Sequence, residues 1–166
     1  MRLKNNGFPA GINAVIFLLH KPVGLGSEEN VLQMDNPLVR QFFEIVDTQK
    51  FNFKIGFDSC SIPAVLNLTH NIDHDSIDTC EGGRWSMYIT SDMKALPCSF
   101  DNQELRWAFD ISNASIEEAW NSQQFESFRS HFRNSCPNCQ CQHACMGGCP
   151  IRPQVVLCDK VEKELY

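Results

Sequence analysis

Residues 136–149 read Cys-Pro-Asn-Cys-Gln-Cys-Gln-His-Ala-Cys-Met-Gly-Gly-Cys, five cysteines within fourteen residues. Four more stand outside this block, Cys60, Cys80, Cys98 and Cys158, which makes nine in a chain of 166. Thiolates are soft ligands, suited to zinc and to iron–sulfur clusters. A structural zinc takes four ligands, so nine cysteines supply two zincs with one to spare. They supply two cubane clusters equally well, each held by four thiolates. Composition leaves both readings open, and the odd count fits poorly with complete disulfide pairing.

Length and charge narrow the surroundings. A chain this long buries about 70% of its unfolded surface, so it does not need staples merely to fold. A net charge of −6 leaves no basic stripe to neutralise phosphates, which argues against a nucleic-acid partner. The apolar run Ala14–Leu19 is six residues long and ends in His20-Lys21-Pro22. That is shorter than a secretory apolar core of about 7–15 residues and far shorter than a membrane span of about 20. The expected setting is the reducing cytoplasm, off the membrane, where clustered cysteines bind metal more often than they pair.

Along the chain, Ala14–Leu19 reads as a parallel strand buried on both faces. Asp35-Asn36-Pro37 is a helix start, a polar cap with proline in the first turn, and Leu38, Phe42, Ile45 and Val46 continue as its buried stripe. Phe51, Phe53, Ile55 and Phe57 alternate with Asn52, Lys54 and Gly56 as a second strand. Strand, helix, strand is a βαβ unit, which cannot cover its own apolar faces alone. Residues 59–78 turn polar and read mostly as loop. Trp85–Thr90 and Ala95–Ser99 form two strands of a hairpin about a turn at 91–94, with Trp85, Met87 and Ile89 sharing one face. Ser115 and Glu118 make a capping box that opens a helix to Phe132, and 159–165 reads as a short last helix. Cys145-x3-Cys149-Pro150 matches the close of a bacterial ferredoxin run, where the last cysteine serves the other cluster. The preceding spacings differ from that run.

Taken together, Cys80, Cys98, Cys136-x2-Cys139-x5-Cys145-x3-Cys149 and Cys158 closely resemble the SPASM domain. This is the auxiliary-cluster region at the C-terminus of many radical S-adenosylmethionine enzymes. The segment YITSDMKALPC (88–98) looks like the family's hairpin and Pro-Cys, and SIEEAWNSQQFESFR (115–129) like its helix. One departure is Met93, where the family usually has glycine in the turn, so another turn geometry is expected there. The resemblance implies one 4Fe–4S cluster on Cys136, Cys139, Cys145 and Cys158. A second would use Cys80, Cys98 and Cys149, with Cys60 the upstream candidate for its fourth ligand. The hairpin would bring Cys98 near Met87, and Gly82-Gly83 would turn Cys80 back toward it. Cys141 is then the thiol left over. His143, and the group His70, Asp73, His74 and Asp75, read as solvated loop residues.

The implied architecture is α+β: a βαβ remnant of a partial (β/α) barrel over residues 1–58, followed by a small SPASM domain over 59–166. No catalytic residue is assigned. The C-x3-C-x2-C motif that binds the S-adenosylmethionine cluster in such enzymes is missing, the first cysteine being Cys60. The chain is therefore expected not to bind or cleave S-adenosylmethionine unless a separate N-terminal half completes it. In that family the domain serves electron transfer and substrate docking. The expected partners are a separately encoded catalytic half, a peptide or protein substrate and an electron donor, and a truncated gene product is the other possibility. His20, Lys21 and Asp58 follow the two strands and are candidates to face a substrate mouth; ordinary loop polarity is the alternative for them. The rival reading from another class is a zinc-binding structural or interaction module.

Overall fold

The computed structural model describes residues 3, 5, 7–73, 77–134, 136 and 138–159. The first unit is βαβ as expected. Strand β1 (Ala14–Phe17) and strand β2 (Lys54–Phe57) pair in parallel, Ala14 opposite Lys54 and Phe17 opposite Phe57. Helix α1 (Pro37–Thr48) connects them, with the Asn36 side chain accepting from the Leu38 amide and Pro37 in the first turn. Pro37 costs nothing there, because that amide has no partner in any helix.

Two details differ from the sequence reading. Strand β1 is not buried on both faces: Ile16 is 59% exposed and the following Leu18 74%. Val15 and Phe17 pack with Phe42 and Ile45 of α1, while among the described residues no layer covers Ile16 and Leu18. The fully buried stripe of α1 is Val39, Phe43 and Val46, with Phe42 half-buried and Leu38 at 62% exposure. Leu38 and Val39 are both apolar neighbours in sequence, so periodicity alone did not choose which turns inward.

The segment expected to be loop holds helix α2 (Ile62–Leu68), entered through a 3-10 turn at Ser59–Ser61. Pro63 lies in its first turn, where proline is tolerated, so it starts the helix and does not break it. Ala64 and Val65 pack with Leu19, Val39 and Phe43 and with Val155 and Leu157 from the far end of the chain. The last described segment thus returns to the first unit's core.

Strands β3 (Tyr88–Ile89) and β4 (Lys94–Leu96) form the expected antiparallel hairpin, and an unexpected β5 (Phe109–Asp110) joins beside β4. Both hairpin strands are shorter than expected, and Trp85 lies outside β3 in a turn, 77% exposed. The capping box is present, with the Ser115 hydroxyl accepting from the Glu118 amide and the Glu118 carboxylate from the Ser115 amide. The helix behind it is two: α3 (Ile116–Trp120) and α4 (Gln123–Asn134), broken where Ser122 starts a new turn. On α4, Phe125, Phe128 and Phe132 recur at helical spacing and are almost completely buried. Each contributes about 1.5–3 kcal/mol by leaving water, and they fasten α4 under the hairpin and the cysteine loops. Helix α5 (Gln142–Cys145) is one turn inside the cysteine block. The expected helix at 159–165 lies outside the described residues apart from Asp159. Among the described residues no helix is long and apolar enough to cross a membrane.

Candidate metal centre

All nine cysteines are free thiols, and the backbone sorts them. Cys80 is followed by a tight turn in which the Glu81 carbonyl accepts from the amides of Arg84, Trp85 and Ser86. Gly82 then lies against the returning hairpin. A Cβ there would stand 3.0 Å from the Pro97 carbonyl oxygen, 3.4 Å from Cys98 Cβ and 3.5 Å from Cys80 Sγ. Glycine is what lets Cys80 and Cys98 face each other. Met93 occupies the hairpin turn at φ 60°, so it adopts the left-handed backbone that glycine would supply and the turn keeps its shape.

The dense block is a run of turns. The Cys139 amide donates to the Cys136 carbonyl, and the Gln142 amide to that of Cys139, so the x2 spacing puts Cys136 and Cys139 on one turn. Helix α5 then carries Cys145. After it Met146, Gly147 and Gly148 have φ of 57°, 81° and 87°. Three consecutive left-handed residues swing the chain away, so Cys149 leaves the direction in which Cys145 points.

Two adjacent cavities result. Cys60, Cys80, Cys98, Cys145 and Cys149 line the first, with Phe100 and Phe128 as apolar wall. Cys136, Cys139, Cys141, Cys145 and Cys158 line the second, with Asn67 and Gln142. Electrostatics resolves the shared Cys145. Burial raises its thiol to about 12, and the thiols that add to the shift are Cys158, Cys136 and Cys139. Burial also raises Cys149 to about 12, where the contributing thiols are Cys60 and Cys80. Cys60 is pushed up to about 11 by burial, with Cys80 and Cys98 adding to it. Burial raises Cys136 likewise, with Cys139 and Cys158 behind it. Cys60, Cys80, Cys98 and Cys149 thus line the first cavity alone, Cys136, Cys139, Cys141 and Cys158 the second alone, and Cys145 lines both.

Several sulfurs already have amide donors in place. Gly82 donates to Cys80, Phe100 to Cys98 and Gly147 to Cys145. Cys149 receives the amides of Ile151 and Arg152, the latter at 3.3 Å. Such donors oppose the rise in pKa, which burial dominates, and they favour thiolate once a cation compensates it. Buried thiols aimed at common cavities with amides behind them are a donor set that fits a thiolate-ligated metal group. Cys141 behaves differently. It caps α5, and its thiol is 4.0 Å from the Leu66 carbonyl, where it acts as a donor; a metal-bound thiolate has no proton to donate.

The remaining candidates have other occupations. His20 Nε2 lies 2.9 Å from the Ser27 carbonyl oxygen. Lys21 and Asp58 pair with each other and leave only 11% and 16% of their side chains exposed. Neither they nor His20 line the cavity of ≈ 660 Å³ over β2, which Ile72, Ile77, Asp78, Thr79 and Glu81 border. His143 is exposed on α5. The His70 and Asn71 amides both bind the Asp47 carboxylate at the end of α1, which fixes that loop to the helix. Asp73 is exposed, and His74 and Asp75 lie outside the described residues. Sequence reasoning did not pick out the amide donors, although Cys-x-Gly at 80–82 and at 145–147 was a usable signal: glycine two residues on allows the amide to turn back to sulfur.

Fold and thiols together define a small cysteine-rich metal-binding protein of mixed α/β structure. Residues 80–145 match the SPASM family, an iron–sulfur cluster-binding domain. The match supports a SPASM domain over this part of the chain, and with it iron–sulfur binding. The match spans Cys80, Cys98, Cys136, Cys139, Cys141 and Cys145, and leaves Cys60, Cys149 and Cys158 outside. No curated protein and no solved structure matches the chain.

Proposed function

We propose that the chain holds two 4Fe–4S clusters and serves a radical S-adenosylmethionine enzyme as its auxiliary iron–sulfur module. Cys60, Cys80, Cys98 and Cys149 hold the first, and Cys136, Cys139, Cys145 and Cys158 the second. The observation that supports this reading is that the nine thiols line two adjacent cavities, four of them the first alone, four the second alone, and Cys145 both. When bound, such clusters pass single electrons. The chain's own part is to supply thiolates, to aim amides at the sulfurs, and to keep water away with Phe100, Phe128 and Pro150.

Residues 1–58 act in this reading as the end of a partial barrel and 59–166 as the cluster module. The exposed apolar face of β1, Ile16 with Leu18, supports docking against further barrel strands. A separately encoded catalytic half would provide the S-adenosylmethionine site, an electron donor would feed the clusters, and a peptide or protein would be the substrate. The zinc alternative is not favoured. Among the described residues no three of His, Cys, Asp and Glu are grouped so as to hold one metal ion, whereas zinc gathers its four ligands at about 2.3 Å. A cubane spreads its four thiolates over four irons.

Anaerobic reconstitution tests the assignment. The expected product contains about eight irons with matching sulfide and absorbs broadly near 400 nm; colourless protein carrying zinc alone would remove the reading. Sedimentation with a radical S-adenosylmethionine subunit that lacks its own SPASM domain tests the partnership, which fails if the two never associate.

A further inference from the structure

Lys21 lies just beyond β1, in the βαβ unit, yet its ammonium stands over an aromatic ring that walls the first thiol cavity. It pairs with Asp58 and stands 5.3 Å from the centre of the Phe100 ring, and Phe100 is part of that cavity's wall. Asp58 is itself tied down, accepting from the Leu19 amide at 3.2 Å and from the Ser61 hydroxyl. With 11% of its side chain exposed, Lys21 cannot swing into solvent without breaking the pair. Asp58 stands two residues before Cys60 and caps the 3-10 turn that carries it, so the pair sits beside a residue that lines that cavity. Arg84 is a further cation at this site, where it binds Thr79 and the Cys80 carbonyl.

We propose that Lys21 is the positioning residue that sets the charge balance of the first cluster, with Asp58 and Phe100 holding its ammonium against the cavity wall. This rests on the two-cluster reading above. A four-thiolate cluster is anionic and gains further negative charge on reduction. A fixed cation beside it therefore favours the reduced form and raises the midpoint potential, and a fixed anion lowers it. The βαβ unit thus tunes the electron transfer of the SPASM domain, and anything that moves the end of β1 alters the potential.

The test is redox titration of the reconstituted protein followed by electron paramagnetic resonance, the first-site signal being the one lost in Cys98→Ser. Lys21→Met is expected to lower the first-site potential, changing its one-electron equilibrium constant about threefold or more. Asp58→Asn is expected to raise it, and Lys21→Arg to leave it near wild type, while the second-site signal stays in place throughout. Equal potentials in Lys21→Met and wild type overturn the proposal, as do shifts of the same sign in Lys21→Met and Asp58→Asn. If Lys21→Met loads no first cluster, the proposal stands where Lys21→Arg restores loading and falls where it does not. A wild-type protein that takes up zinc and no iron overturns the cluster reading itself, which distinguishes that failure from this one.

Discussion

Gly82 is the position where one added carbon tests the site. Gly82→Ala would drive a Cβ against the Pro97 carbonyl and between Cys98 and Cys80, at an overpacking cost of about 1–3 kcal/mol. The expected outcome in iron analysis is loss of the first cluster alone, from about eight irons to about four. Cys141→Ser is the counterpart and is expected to leave iron content unchanged, since that thiol donates to the Leu66 carbonyl. The thiols also predict a pH dependence. Burial raises Cys60 from 9.0 to about 11, and Cys145 and Cys149 to about 12. Their neutral forms stabilise the cluster-free fold below pH 9, and that stability is lost as pH rises through about 11–12. Thermal melts of cluster-free protein are expected to fall steeply above pH 9, whereas loaded protein, whose thiols are already thiolates, loses this dependence. Equal slopes for the two forms would contradict it.

The cap of α3 and the turn after α5 place the site at the level of elements. Ser115→Ala removes half of the capping box and is expected to cost about 1 kcal/mol, read as a lower denaturation midpoint with iron content intact. Gly148→Ala is different in kind, because φ is 87° and a Cβ would meet the Val156 side chain at 2.8 Å. It is expected to misdirect Cys149 and reduce first-site iron. What the sequence disclosed at this scale follows signal strength. Asn36-Pro37 and the Ser115–Glu118 box are chemical start signals, and both helices begin where those residues stand. The break at Ser122 was hidden because Trp120, Phe125, Phe128 and Phe132 keep a helical rhythm across it. Helix α2 was hidden by its polar flanks and by Pro63, which looks like a breaker until its place in the first turn is known. Strand β5 is two residues long, too short for any alternation to show.

Across the whole molecule, the central feature is that Cys145 lines both thiol cavities while Cys149, four residues on, lines only the first. The cysteine spacings carried the resemblance to the SPASM family, which the match over residues 80–145 supports. They carried nothing of the Lys21–Asp58 pair, which depends on how β1 and β2 end beside the hairpin, nor of the tie between Val155–Leu157 and the first unit's core. Partition also makes the substitutions specific: Cys149→Ser is expected to abolish the first-site signal and Cys158→Ser the second. The most direct measurement is therefore iron and sulfide analysis with electron paramagnetic resonance on reconstituted wild type, Cys149→Ser and Cys158→Ser. The account predicts about eight irons in wild type, about four in each variant, and complementary losses of two distinct signals. Zinc without sulfide in the wild type, or the same signal lost in both variants, would contradict it.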